Sequence, residues 1–457
     1  MDYSSANTAL WNVILQLGMI AGSILLANYL RNRLALIRNS MMPIAVMAGF
    51  LLLLAKYFGL IHIDGALMEM LVYHGIALGF IAMSLRVPDS PSARKSDLTG
   101  LKSGAVIVST YMIQGVCGLL ITLLLSYTFL PGLFKASGLL LPMGYGQGPG
   151  QANNIGSTYE ALGFVGGRSF GLSIAAAGYL VACVVGVIML NIMARHKGAV
   201  KNEERQDGMD ISFFQDKNEI PVSDSIDKLS VQLAMVLLTY LATYLAAYAL
   251  TSGIAAISAG LAKTLNTLIW GFNFIIGAAL AMLLRVLLET GKKRGLMKRQ
   301  YQNNYLLNRI SGFFFDLMIA AGIASINLED LSGLWIPFLL LAVIGGVVTW
   351  YHLKAVCREV YPEYYEEGLI SMFGMMTGTI SSGVLLLREL DPDLTTPAAN
   401  NLVIGSSFGI VLGIPVLILV GIAPRSPLMC WLTVLIAALY YLALRLFIRK
   451  AHRRKEK

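Results

Sequence analysis

The chain has 457 residues, of which 56% are hydrophobic and 13% charged, against about 25% charged in an ordinary soluble protein. The charges crowd into short stretches, and the apolar runs between them reach the roughly 20 residues a helix needs to cross a bilayer, which all but excludes a soluble enzyme. The net charge of +9 reads as membrane topology, since Lys and Arg gather in cytoplasmic loops; no basic segment interleaves with aromatics as a nucleic-acid surface would.

Residues 1–8 carry Asp2 and no Lys or Arg, so the basic region of a cleavable signal is lacking and the first span is expected to be retained. Spans are expected at 9–30, 43–60, 66–85, 104–130 and 169–193. A second set follows at 229–251, 263–288, 310–328, 333–353 and 398–422, with an eleventh at 427–448. Segments 131–168 and 362–397 do not fit this scheme. Each has apolar stretches too short to span, broken by clustered Gly, Pro, Ser and Thr, and each reads as a re-entrant hairpin. Cys117, Cys183, Cys357 and Cys430 lie far apart without CxxC spacing, so neither a zinc site nor a disulfide framework is indicated and no cofactor is expected.

With the N-terminus outside, the inside loops collect Arg31, Arg33, Arg38, Arg86, Arg94, Lys95 and Lys102 in the first half. They also collect the bases of 194–228, then Lys292, Lys293, Arg294, Lys298, Arg299, Arg309, Lys354, Arg358 and the tail from Arg449 to Lys457. The outside loops hold little beyond Lys135, Arg168 and Arg425. This predicts an N-terminal membrane repeat over 1–193 with an outward-opening hairpin, and a cytoplasmic linker over 194–228. An inverted repeat over 229–422 with an inward-opening hairpin follows, then an extra span and basic tail over 423–457. The expected fold is an all-α polytopic membrane protein of about 11 helices, arranged as two inverted five-helix repeats plus one C-terminal helix. Such repeats are common in secondary transporters.

The first hairpin runs from Pro142 to Ser157 with glycines alternating at 144, 146, 148 and 150, a composition that makes a poor helix. Non-helical backbone at membrane depth survives only when buried in protein or lining a cavity. Tyr145, Gly146, Gln147, Gly148, Gly150, Gln151, Asn153 and Asn154 are therefore candidate substrate residues. In the second hairpin Gly374, Gly378 and Gly383 allow close backbone approach, and Thr377, Thr379, Ser381 and Ser382 supply hydroxyls. A half-helix beginning near Ile380 would aim free amides and a positive dipole end at the tip, a seat for a carboxylate. The carbonyl end of the preceding half-helix suits a cation. Thr377, Gly378, Thr379, Ser381 and Ser382 are candidate sodium ligands, and so is Asp316, an intramembrane carboxylate that alternatively faces water at the cytoplasmic interface. Arg388 either meets a substrate carboxylate or pairs with Glu389 and Asp391. Close helix packing is the competing explanation for the glycines. Gln114, Asn266 and Asn273 read as interhelical hydrogen bonders, Tyr240 and Tyr244 as packing, and Glu69 and His74 carry no assigned role.

At its two tips the sequence resembles the bacterial glutamate–sodium symporter family, whose inverted halves each carry a re-entrant loop with a Gly-x-Gly-x-Gly-type motif. Gly146-Gln147-Gly148-Pro149-Gly150-Gln151-Ala152 matches the first motif in glycine spacing. Phe373-Gly374 through Gly378, followed by Thr379 to Ser382, looks like a drifted second motif. The family usually carries His and Thr where this chain has Gln147 and Pro149, and its second motif is richer in glycine. The resemblance implies sodium-coupled symport of glutamate or a related small carboxylate across a bacterial inner membrane, by a homodimer with an elevator-like displacement. Sodium would be the coupling ion, a small anion the substrate and lipid the surrounding partner, with the C-terminus cytoplasmic. A solute channel built from two antiparallel half-helices is the alternative, although the Asn-Pro-Ala pore motif is absent. No His, Asp or Glu cluster has catalytic spacing, so an enzyme is not expected.

Overall fold

The computed structural model describes residues 3–4, 7–34, 42–87, 98–196, 222–257, 266, 269–271, 273–295, 301–391 and 396–453. Most of the expected linker 194–228, the start of the span at 263–288, Arg38, Arg94, Lys95, Lys298, Arg299 and the last tail residues lie outside the described residues. Within them every regular element is a helix, and no strand occurs.

The first half gives α1 (Thr8–Arg33), α2 (Ile44–Tyr57), α3 (Gly65–Leu85), α4 (Leu98–Tyr127), α5 (Pro149–Glu160) and α6 (Gly167–His196). The second gives α7 (Val222–Ile257), α8 (Asn273–Lys293), α9 (Asn304–Ser325), α10 (Trp335–Val360), α11 (Tyr365–Thr377) and α12 (Ile380–Leu390). It closes with α13 (Ala398–Leu412), α14 (Ile414–Ile422) and α15 (Pro427–Arg453). Among the described residues nine helices are long and apolar enough to cross a membrane, and α13 with the segment Ile414–Arg425 passes as one further span bent by 49°. The protein is an all-α, multi-pass membrane protein. The bend falls just before Pro415, which lacks an N–H and whose ring crowds the carbonyl of the preceding turn. α2 departs from expectation: at 14 residues it is about 21 Å long, short of a hydrocarbon core of roughly 30 Å.

Local chemistry sets the helix starts. The Asn7 side chain accepts from the Leu10 amide at 3.2 Å and caps α1. Asp64 opens α3 by accepting from the amides of Ala66 and Leu67 at 3.0 and 3.1 Å, and Asn12 Nδ2 donates to it at 2.6 Å. These donors, the Leu67 amide first and Asn12 next, hold the Asp64 carboxyl below its ordinary value.

The chain divides into two compact units. The first comprises Met1–Tyr73, Ser96–Ala194 and Leu317–Lys457, and the second His74–Lys95 and Arg195–Asp316. Each unit draws on both halves of the sequence, and divisions fall inside α3, near the end of α6 and inside α9. In the first unit α4 packs against α10, α13 and α15 and carries both hairpins. The second unit has its own core of Leu78, Ile81, Leu85, Val236, Ala281, Leu307 and Ile310. Asn304 closes one edge by pairing with both backbone groups of Val87, at 2.8 and 2.6 Å. Tyr240 packs against this core as expected, and its hydroxyl also joins His74 at 2.6 Å and receives the Asn273 amide at 3.3 Å. His74 thus has a structural role, and Asn273 bonds between helices.

Candidate functional site

Both hairpins belong to the first unit. The first enters through a 3-10 turn (Lys135–Leu139) and one π-helical turn (Pro142–Gly146), breaks at Gln147–Gly148, and leaves as α5. The glycine-rich stretch is therefore more regular than its composition predicts. Pro149 stands at the first helical position, where its missing N–H has no intrahelical role and its φ is already set. Burial of α5 then outweighs the low helix propensity of its glycines. The break itself needs Gly148, whose φ is +82°. The second hairpin is α11 and α12 joined through Gly378 and an extended Thr379 (φ −142°, ψ 174°).

The two tips touch. A Cβ placed on Gly148 would lie 3.6 Å from Thr379 Cγ2, 3.9 Å from the Gly378 carbonyl oxygen and 4.0 Å from the Tyr179 hydroxyl. Behind them Gly178 of α6 leaves no room for a side chain, since a Cβ there would strike the Thr377 carbonyl oxygen and lie 2.8 Å from the Tyr145 ring. Two helix N-termini consequently end beside each other, and neither has a side-chain cap. The first-turn amides of Gly150 and Gln151, and of Ile380, Ser381 and Ser382, have no partner within their own helices. Both dipoles present their positive ends to the junction.

Unpaired polar atoms gather at the same place. Both amide atoms of Gln151, Asn153 Oδ1, Thr379 Oγ1 and Ser382 Oγ are buried with no hydrogen-bond partner in the protein. Gln151 and Asn153 are each 1% exposed and Ser382 3%. Most buried polar groups in proteins are paired, so a cluster of bare ones suits a polar ligand, an ion or ordered water. Neither 142–159 nor 368–388 contains Asp or Glu, so the shell is neutral, with donors from two helix starts and acceptors from amides, hydroxyls and carbonyls. Among the described residues no His, Cys, Asp or Glu cluster could hold a metal ion.

The candidate residues separate into three groups. Gly146, Gln147, Gly148, Gly150, Gln151, Asn153, Asn154, Gly378, Thr379, Ser381 and Ser382 sit at or within a turn or so of the junction. Gln147 and Thr379 are half-buried, so solvent reaches the site at the break; of the Ser381 side chain nothing is described. Tyr145 and Thr377 are at the tips, but their hydroxyls are engaged. Tyr145 donates to the Ala342 carbonyl at 2.5 Å and Thr377 to Phe373 in its own helix at 2.7 Å. Arg388 is not brought to the tip, and Asp316 belongs to the other unit. Arg388 lies eight residues along α12 from Ile380, about 12 Å away. Asp316 is the last residue of the second unit and is exposed on α9.

Gln114, expected as an interhelical hydrogen bonder, is one, whereas the role of Glu69 went unread in the sequence. Gln114 on α4 donates to Thr349 Oγ1 at 2.8 Å and to the Met376 carbonyl at 3.1 Å, tying α4 and α10 to the end of α11. Glu69 receives Ser157 Oγ at 2.7 Å and pairs with Arg168 at 2.8 Å, anchoring the far end of α5. Each is a lone polar group in an apolar run, which was the available signal. The chain matches no known family model and no curated protein.

Proposed function

We propose that the protein is a secondary active transporter that carries a small carboxylate, glutamate or a close relative, by symport with sodium across a bacterial inner membrane. The observation that supports this reading is the meeting of two uncapped helix N-termini inside the first unit, surrounded by unpaired polar side chains. Free amides and converging positive dipole ends form a seat for a carboxylate and need no cationic side chain. The coupling ion would be held by neutral oxygens: Thr379 Oγ1, Ser382 Oγ and the carbonyl ends of the first limbs. Burial of the junction favours a carrier over the solute-channel alternative, because a pore requires a continuous wet path and here Gln151, Asn153 and Ser382 are buried. The resemblance at the tips adds the symport partner, the homodimer and the elevator-like displacement to the reading. Orientation follows the basic loops, with the N-terminus outside and the C-terminus cytoplasmic.

Radiolabelled uptake into proteoliposomes tests the reading. Glutamate and small dicarboxylates are offered with and without an inward sodium gradient. Saturable uptake that follows the gradient is expected for at least one of them. Flux that rises linearly with concentration, whatever the gradient, would replace the carrier with the channel.

A further inference from the structure

Gln114 stands in an apolar stretch of α4 and is fully buried. Its Nε2 donates to Thr349 Oγ1 and to the Met376 carbonyl. The second bond decides which amide atom is which, since a flipped side chain would set two oxygens against each other. Thr349 passes its own hydroxyl hydrogen to the Gly345 carbonyl at 2.7 Å. Oε1 of Gln114 is left buried with no hydrogen-bond partner in the protein. It faces the first hairpin, 3.2 Å from where a Cβ on Gly146 would lie, and Gly146 ends the π-helical turn. The other neighbour at that point is the Tyr111 ring, whose approaching atoms Cδ1 and Cε1 offer no donor. One amide group therefore holds the second hairpin through its nitrogen and turns a bare acceptor oxygen toward the first.

An acceptor buried without a donor is costly to leave unmade, and the tips contain no carboxylate to neutralise a positive charge. We propose, on the reading of the hairpin tips as a ligand site, that Gln114 Oε1 accepts a positively charged ligand group there. That group is a dehydrated monovalent metal ion or the ammonium group of an amino-acid substrate. Neutral amide and carbonyl oxygens replace the hydration of either. Gln114 then senses both hairpins at once, because ligand bound at Oε1 stiffens the same side chain that holds Met376.

The test uses the full-length chain in lipid nanodiscs, with ligand affinity read from thermal unfolding. Sodium chloride is titrated against N-methylglucamine chloride at constant ionic strength, and glutamate against glutarate, which has both carboxylates and no ammonium. Gln114→Met is expected to weaken one cationic probe about fivefold to tenfold, the loss of one charge-assisted acceptor. A weakened sodium response identifies the metal ion, and a weakened glutamate response with glutarate unchanged identifies the ammonium. Thr349→Val, which removes only a partner of Nε2, stays within about twofold of wild type. If the Met variant does not fold, Gln114→Asn, which withdraws the oxygen by one methylene, is read the same way. Unchanged affinity for both cationic probes overturns the assignment and leaves Oε1 to a trapped water, and a wild type bound by neither overturns it too. Wild-type binding that survives in Gln114→Met counts against Gln114 alone. The expected binding pattern in a protein without gradient-driven uptake counts against the transport reading alone.

Discussion

At the scale of single residues, the tips contain side chains of two opposite kinds. Ser382 is buried with an unpaired hydroxyl, whereas the hydroxyl of Tyr145 donates to the Ala342 carbonyl. Ser382→Ala removes a desolvated group that makes no bond, so the ligand-free protein should unfold at the same or a slightly higher temperature. Ligand affinity should fall about fivefold, the equivalent of one lost hydrogen bond of ~1 kcal/mol. Tyr145→Phe reverses the pattern, with stability lower by about 1 kcal/mol and affinity within about twofold, because it removes a buried hydrogen bond and leaves the ligand-facing atoms in place. Thermal unfolding with and without ligand reads both, and equal behaviour of the two variants would contradict the distinction. Gly148 and Gly178 differ in a similar way. A Cβ on Gly148 meets nothing closer than 3.6 Å, so Gly148→Ala costs only the extended, positive-φ backbone that glycine alone adopts readily, about 1–3 kcal/mol. Gly178→Ala drives a methyl into the Thr377 carbonyl and should abolish ligand binding even where the variant folds.

Among the elements, the breaks were the most legible features. The Asp64 cap of α3 was not read in the sequence, and its physical consequence is a pH dependence. A carboxyl held below its ordinary value of 3.8 contributes its full stabilisation above that value. The contribution is lost as pH falls through the lower folded value. Asp64→Ala should therefore lower thermal stability at pH 7, by about 1 kcal/mol on the usual scale for caps. The gap to wild type should close as the pH drops below 3.8; a gap that stays constant with pH would contradict the assignment. The hairpins were legible because clustered Gly and Pro interrupt apolar runs, and the α12 start near Ile380 was readable for the same reason. The regularity of α5 was not, because propensity speaks against Gly-Gln-Ala-Asn-Asn and only burial reverses it. Nor could sequence show which hydroxyls were taken: Thr377 and Thr379 look alike in the chain, yet one bonds to Phe373 and the other has no partner. The contact of Gly148 with Thr379 and the bonds of Gln114 join segments far apart in the chain, and no local pattern records such pairs. Arg388 was a candidate by charge alone, and helix length keeps it from the tip.

For the whole molecule, the apolar exterior and the buried polar junction point to the same conclusion. Leu428, Leu435, Leu439 and Leu446 are exposed on α15, an outward apolar face that suits lipid, while the uncapped helix ends lie inside the first unit. The basic loops predict sidedness: a cysteine at Ser4 should react with an impermeant reagent from outside the cell, and one at Lys450 only from within. Labelling of both from one side would remove the proposed orientation. The central claim is that the two hairpin tips together form a ligand site, and thiol protection tests it most directly. Gln147→Cys and Thr379→Cys are made in a Cys117→Ala background, the other native cysteines being buried. Both new thiols should react with a small polar reagent in lipid nanodiscs, and glutamate with sodium should slow both reactions together. Inert thiols, or rates that ignore the ligands, would contradict the account and leave the glycines of the two hairpins to helix packing.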